Sequence, residues 1–572
     1  MIQRLLLFVL ITLSLFSCKT EKKETATDVV LWQPYNDSAE IAANQDHEIE
    51  RMRYKLIQSK VSDKNEVFRP LYNEVSKMTD KEYEALIPLV LEQDIPTLQS
   101  HIADGSLSYE KLVLCYLHRM YSYELNNETT LNTILALNEN VLTEARKCDT
   151  ALLEKPNEKR HPIYGMPILL KDNIGVSGMK TTAGSIALIA NVTDDAFIVQ
   201  QLKKNGALIL GKVNLSEWAY FLCEGCPVGY SAVGGQTLNP YGRKIFETGG
   251  SSSGSGTSVA ANYAVAAVGT ETSGSILSPS SQNSVVGLKP TIGLLSRTGI
   301  VPISSTLDTP GPMTKNVTDN AILLSAMTGK DEADDKSVAT DTDYVKAITD
   351  LNAVADSKAV AENGSLQGKR FGAMSTLMEE DSIYKSTVEK MREAGAEIIE
   401  FTPPEVSMDG FLSILNIDMR NDLPKYIQTQ VKNKDAVKIG SIADAVAFNA
   451  SDSVTRIPYG QSLFEGIIAD STTAEGLENI KSTLENNGRR FFDTALDEHN
   501  LDAILSINNY HAGYAAVAKY PALTVPMGYT GAGEPISLTF IAKPFQEDKL
   551  LQLGYAFEKL TQVRQLPVLF KK

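Results

Sequence analysis

The sequence predicts an α/β protein, and three observations carry the prediction. Wholly apolar runs at residues 167–170 and 207–210 have the length and composition of buried strands. Segments of helical texture alternate with them, as in a sheet whose strands are connected through helices. The third observation is residues 249–291, GGSSSGSGTSVAANYAVAAVGTETSGSILSPSSQNSVVGLKPT, where Gly and Ser crowd around apolar runs. A solvated linker stays polar throughout. Here the Ala/Val-rich residues 259–268, of either helical or buried-strand character, are flanked by Gly/Ser turns, which reads as core punctuated by tight turns. Several of its glycines mark backbone that runs close to something, or takes angles closed to residues with a Cβ.

From the start of the chain, Arg4 precedes an apolar run at residues 5–16 that ends at Ser17-Cys18 and gives way to KTEKKE. That run is shorter than the ~20 residues of a membrane-spanning helix and has the length and flanks of a signal-peptide core. Residues 1–17 are therefore expected to direct export. Leu15-Phe16-Ser17-Cys18 resembles a bacterial lipobox, which implies cleavage before Cys18, lipidation of its thiol and anchoring by acyl chains to a bacterial cell-envelope membrane. An ordinary signal peptide with an incidental cysteine is the other reading. Residues 18–31 are charged and are expected to form a solvated tether.

Residues 32–86 are polar and helical in texture, with Met52, Leu56 and Ile57 spaced for one helical face, and are expected to form an extension packed on a body spanning residues 87–572. Ser108 is placed to cap a helix whose apolar stripe includes Leu112, Val113, Tyr116 and Leu117. The run at residues 167–170 then delivers Lys171. A lysine at the end of a buried run either reaches solvent along its stem or, if desolvated, loses charge and becomes a candidate base. Residues 328–343 are acidic and read as a surface excursion, and residues 359–367, with Asn363-Gly364, as a loop. A strand at 369–372 and a helix near 384–394 follow. Residues 419–475 are mostly helical and placed to cover a cleft. Strands at 501–507 and 520–527 and a helix at about 549–564 complete the chain.

With 572 residues, 43% of them hydrophobic, the chain can bury a large core. Its 54 Lys and Arg against 70 Asp and Glu give a net charge of −16, without a basic run outside the tether, so nucleic acid is excluded as a partner. The spacing Cys223-Glu-Gly-Cys226 is half a zinc site at most; a local disulfide and two free thiols both remain open. The six histidines show no metal-binding pairing, and neither a metal nor a cofactor is expected.

An ordered set of motifs now carries a resemblance: GMPILLKDNI from Gly165, GKVNLSEWA from Gly211, GGQTLNPYG from Gly234, GGSSSGSG, TETSGSILSP, GLKPTIGLLSRTGIVPISSTLDTPGPM and YPALTVPMGY from Tyr520. Together they resemble the amidase signature family of serine hydrolases, with a signature core at about residues 160–330, and most closely its branch of bacterial peptide amidases. The resemblance implies a mixed central sheet covered by helices on both faces, and hydrolysis of the C–N bond of small amides or C-terminal peptide amides. It assigns Ser275 as nucleophile, Ser251 as bridging serine and Lys171 as base. The backbone N–H groups of Thr272, Ser273, Gly274 and Ser275 would form the oxyanion hole, and the Gly250–Ser251 peptide would be cis. Ser252, Ser253 and Ser255 are neighbours of that machinery, with Ser252 best placed to assist the relay.

The chain also departs from the family. Many members carry Asp-x-Gly-Gly-Ser-Ile-Arg where this sequence has Glu271-Thr272-Ser273-Gly274-Ser275-Ile276-Leu277, and Leu277 cannot pair with an acid as Arg would. Ser273 stands where the peptide amidase branch usually has Asp. An amidotransferase subunit releasing ammonia from glutamine is disfavoured by the export signal and by Leu277. A lipid-amide hydrolase and a catalytically silent ligand-binding lipoprotein of the same fold are the alternatives.

Overall fold

The computed structural model describes residues 29–348 and 366–571; the export signal, the lipobox at Cys18 and nearly all of the 359–367 loop lie outside the described residues. In chain order the strands are β1 (Ile134–Leu137), β2 (Pro167–Lys171), β3 (Leu208–Val213), β4 (Tyr230–Ser231), β5 (Gly235–Gln236), β6 (Ala266–Glu271) and β7 (Val286–Lys289). They continue with β8 (Thr309–Thr314), β9 (Arg370–Met374), β10 (Glu397–Phe401), β11 (Ala503–Ile507), β12 (Ala522–Tyr529) and β13 (Pro535–Ile541). Eleven of them form one mixed sheet in the order β1-β3-β2-β6-β8-β7-β12-β13-β11-β9-β10, while β4 and β5 pair separately. Helices cover both faces of the large sheet. Around the signature core β2 lies between β3 and β6 and runs parallel to both. Their carboxyl ends therefore open on one side, where open α/β sheets place their ligands.

Every residue of β2, β3 and β6 is buried, which is why each begins as an apolar run. Residues 259–268 divide between two elements. Helix Ser253–Ala260 stops at a turn through Asn262, whose φ is 55°, and β6 begins at Ala266. Ser108 caps helix Tyr109–Glu124 by accepting the Lys111 N–H, and Leu112, Val113, Tyr116 and Leu117 are buried along it. The final helix runs Glu547–Thr561.

Two expectations are corrected. Met52, Leu56 and Ile57 do not share a helical face: a single 3₁₀ turn, Glu50–Met52, leads into irregular chain in which Met52, Tyr54 and Ile57 are buried and Leu56 is half-buried. The backbone there is satisfied by distant partners, with Ile57 C=O accepting from Gln236 N–H and Tyr459 Oη accepting from Lys55 and Leu56 N–H. The acidic stretch after Thr328 is not simply a surface excursion either. Asp331 and Asp334 are buried, Asp331 against Ser296 Oγ and Asp334 against the Arg297 guanidinium.

The helical segment after residue 410 forms helices Phe411–Gln430, Ile442–Ala450, Ser453–Arg456, Ser462–Ala469 and Ala474–Glu498. It has an apolar core of its own, shared with Trp218 and Phe221 from the loop after β3 and with Ile303 and Leu307 from the loop after β7. That packing seats the cover over the carboxyl ends of β2, β3 and β6.

Candidate active site

Lys171, the last residue of β2, is fully buried. Its Nζ lies 2.7 Å from Ser251 Oγ, 2.9 Å from Thr270 Oγ1 and 3.1 Å from the Thr270 carbonyl oxygen. Burial pulls its pKa down to about 7, with the carboxylates of Asp308 and Glu271 opposing the shift. Near neutrality the amine thus exists in both forms. When neutral it has two protons and one lone pair for these three contacts. The carbonyl can only accept, so the lone pair must face a hydroxyl, that of Ser251 or Thr270. Thr270 Oγ1 is also held by Asn173 Nδ2 at 2.9 Å. A second buried lysine on the neighbouring strand, Lys212, pairs with Asp172 at 2.9 Å. Its ammonium has a counter-ion; that of Lys171 has none within ion-pair distance among the described residues.

Ser251 is fully buried at the far end of a turn whose Gly250–Ser251 peptide is cis. Glycine is required before it, because a Cβ on residue 250 would lie 2.6 Å from Ser216 Oγ and 2.7 Å from Val228 Cγ1. Ser216 N–H donates to Ser251 C=O, which ties this turn to the loop after β3. Ser252, expected to assist the relay, instead caps the edge of β6: its Oγ donates to Thr270 C=O at 3.0 Å and accepts from Thr270 N–H at 3.2 Å. Both its hydrogen-bonding roles are occupied by backbone. Ser255 Oγ likewise donates to Val268 C=O.

Beyond β6 the chain turns through Thr272, Ser273, Gly274 and Ser275 into helix Leu277–Gln282. Gly274 has φ +86°, and a Cβ there would sit 3.0 Å from Asn509 Nδ2. Glu271 Oε2 accepts the N–H groups of Ile276 at 2.7 Å and Leu277 at 3.0 Å, clamping the turn from inside. Leu277, at the position of the family's arginine, is buried apolar packing. Among the described residues, the N–H groups of Thr272, Ser273, Gly274 and Ser275 have no acceptor. Ser275 is partly exposed, and its carbonyl receives the Ser252 N–H at 3.2 Å, which brings the two serine segments together. Ser275 Oγ makes no hydrogen bond to Ser251 Oγ.

Several residues of the site were not singled out in the sequence. Thr270 and Asn173 hold the lysine end, Glu271 holds the turn, and Asp308 holds Thr272 by accepting its Oγ1 proton at 2.6 Å. Asp308 also accepts Ile303 and Ser304 N–H, and burial raises its pKa to about 6. Asp308 stands inside the quoted STLDTPGPM motif, the one signal that could have marked it. A cleft opens beside Thr270 and Thr272 under the helical cover, with Asp422 and Tyr426 of helix Phe411–Gln430 among the residues that line it. Cys223 and Cys226 are disulfide-bonded, in the loop that follows β3. Among the described residues no group of His, Cys, Asp and Glu is arranged to hold a metal ion.

The model of the Amidase family matches residues 111–551. A probable amidase of Arabidopsis thaliana is 33% identical over 489 residues, covering 84% of this chain and 92% of its own. An amidase family protein of Bacillus anthracis superposes with a TM-score of 0.81 at 37% identity, covering 89% of this chain and 99% of its own. The native peptide amidase of Stenotrophomonas maltophilia gives 0.75 at 35%, covering 83% and 98%. Fold and site together thus define a hydrolase of amide C–N bonds. The chain belongs to the Amidase family, in its amidase signature sense.

Proposed function

We propose that the protein hydrolyses small carboxamides or C-terminal peptide amides through an acyl-enzyme on Ser275. Amide carbonyls are weak electrophiles, so the reaction needs an activated nucleophile and donors for the oxyanion. As Ser275 Oγ attacks the carbonyl carbon, its proton passes to Ser251 Oγ, whose own proton passes to neutral Lys171. The four unpaired N–H groups of the 272–275 turn stabilise the charge on the carbonyl oxygen. The C–N bond then breaks, and the proton returns from Lys171 through Ser251 to the departing amine. Water then attacks the ester carbonyl, its proton passing through Ser251 to Lys171 as before; the ester C–O bond breaks, and that proton returns through Ser251 to Ser275 Oγ as the carboxylic acid leaves.

The observation that carries this reading is Lys171 Nζ at 2.7 Å from Ser251 Oγ, buried and without a paired carboxylate. Catalytic hydrogen bonds are often long before substrate binds, so the Ser251–Ser275 link is expected to form in the complex. Likeness to the peptide amidase of Stenotrophomonas maltophilia supports a peptide amide as substrate. On its leader sequence, we also propose an exported protein held to a bacterial cell-envelope membrane by a lipid on Cys18. Intact mass spectrometry after treatment with a fluorophosphonate tests the chemistry. An adduct on Ser275 that vanishes in Ser275→Ala supports the reading, and a folded wild type that takes up none refutes it.

A further inference from the structure

The cleft beside the candidate site has an unusual charge pattern. Asp308, Asp334, Asp335 and Asp422 line it against only Arg297 and Lys425, so carboxylates outnumber basic groups by two. Arg297 is already engaged: its Nε donates to Asp334 Oδ2 at 2.9 Å, it reaches Asp335 at 3.4 Å, and it also donates to the Ser305 carbonyl. Lys425 lines the cleft from an exposed position and forms no ion pair with Asp308 or Asp422 among the described residues. Asp308 and Asp422 are satisfied by neutral donors alone. Asp308 accepts Thr272 Oγ1 and the N–H groups of Ile303 and Ser304, and Asp422 accepts Ser305 N–H at 2.7 Å. Neither has a cation within ion-pair distance among the described residues.

A second feature of the same cleft points to the same kind of ligand. Asn173 lines it, is 2% exposed, and leaves its Oδ1 without a hydrogen-bond partner, while its Nδ2 is fixed on Thr270. Two carboxylates and an amide side chain thus line one cleft without a hydrogen bond from a charged donor. Burial raises the pKa of both carboxylates, and the nearby Arg297, already bonded to Asp334, offsets this only in part. A buried acceptor left unpaired is costly, and a ligand that supplies several N–H donors and a positive charge relieves that cost.

We infer that this cleft is a subsite for a protonated primary amine, so that the preferred substrates are amides carrying an ammonium group close to the scissile carboxamide. The inference rests on the amidase reading above. The ammonium could be the α-amine of an amino-acid or peptide amide, or the side chain of a basic residue; both offer the same chemistry to Asp308, Asp422 and Asn173.

Three amides of similar size separate these sources: N-acetyl-norleucinamide, which is neutral, norleucinamide, with an α-ammonium, and N-acetyl-lysinamide, with a side-chain ammonium. At pH 7 at least one cationic amide is expected to exceed the neutral one by about tenfold in kcat/KM, a difference typical of one charged contact. The ratio should shrink by about fivefold or more in Asp308→Asn and in Asp422→Asn. Asp422, on helix Phe411–Gln430, is hydrogen-bonded only to Ser305, so the second variant serves should the first fail to fold. A neutral amide hydrolysed as fast as both cationic ones, or a ratio unmoved by folded Asp422→Asn, overturns the subsite while leaving the amidase reading standing. Should wild type hydrolyse none of the three, calorimetric binding decides. Tighter binding of a cationic amide that is lost in Asp422→Asn upholds the subsite and defeats the hydrolytic reading for these amides, and equal binding of all three defeats the subsite.

Discussion

Lys171 and Lys212 sit on adjacent strands, both buried and both with pKa lowered by burial, yet they have different partners. Lys212 faces the Asp172 carboxylate, whereas Lys171 faces two hydroxyls and a carbonyl. A base must be neutral to accept a proton, and the neutral fraction of Lys171 grows as pH rises through about 7. The expected kcat/KM therefore climbs about tenfold between pH 6 and pH 8, and a pH–rate profile that is flat across that window would contradict the relay. Ser275→Ala is expected to lower turnover by about 10⁴-fold or more with the circular dichroism spectrum unchanged. In the proposed relay Lys171 and Ser251 act as one unit, so Lys171→Ala, Ser251→Ala and the double variant are expected to lose similar amounts, as measured by kcat. Multiplicative losses in the double variant would mean two independent contributions.

At the scale of elements, the site depends on three turns at the ends of β2, β3 and β6. The 272–275 turn is held by Glu271 from the inside and by Asp308 through Thr272 from the cleft. Glu271→Ala would leave the buried N–H groups of Ile276 and Leu277 without acceptors, at about 1–3 kcal/mol for each orphaned donor. The urea midpoint should fall accordingly, and an unchanged midpoint would show that the clamp is dispensable. The N-terminal extension is tied to the cover in a similar way. Tyr459 Oη accepts Lys55 N–H at 2.7 Å and Leu56 N–H at 3.3 Å, and Lys55 Nζ donates to Pro458 C=O at 2.9 Å. Tyr459→Phe is expected to destabilise the protein by about 1 kcal/mol in denaturant titration, since the part-buried Leu56 N–H loses its acceptor while the exposed Lys55 N–H can turn to water.

At the scale of the whole molecule, one large sheet carries the candidate chemistry and a helical cover with a separate apolar core closes over it. The cover reaches the cleft through Asp422 and Tyr426, so it can shape substrate choice without supplying any member of the relay. No helix among the described residues is long and apolar enough to cross a membrane. The proposed attachment therefore rests on Cys18 alone. Expressed with its leader, the wild type is expected in the membrane fraction and Cys18→Ser in the soluble fraction, and equal partition would refute lipid anchoring.

What the sequence determined was whatever is local or written as an ordered motif: buried strands from their apolar runs and the Ser108 cap, together with the family resemblance that names Lys171, Ser251 and the 272–275 turn as site candidates. Tertiary structure alone decided which polar groups meet. Nothing local distinguishes Lys171 from Lys212, for the difference is one carboxylate brought in from the turn after β2. Ser252 looked as available as Ser251, and its occupation by Thr270 follows from the pairing of helix Ser253–Ala260 with β6. Asp334 read as solvated until the fold set Arg297 beside it, and Met52 to Ile57 looked helical until Gln236 and Tyr459 took their backbone partners. Hydrogen bonds and burial between segments tens to hundreds of residues apart decide such cases, because the free energy of a polar group depends on what surrounds it rather than on its neighbours in sequence.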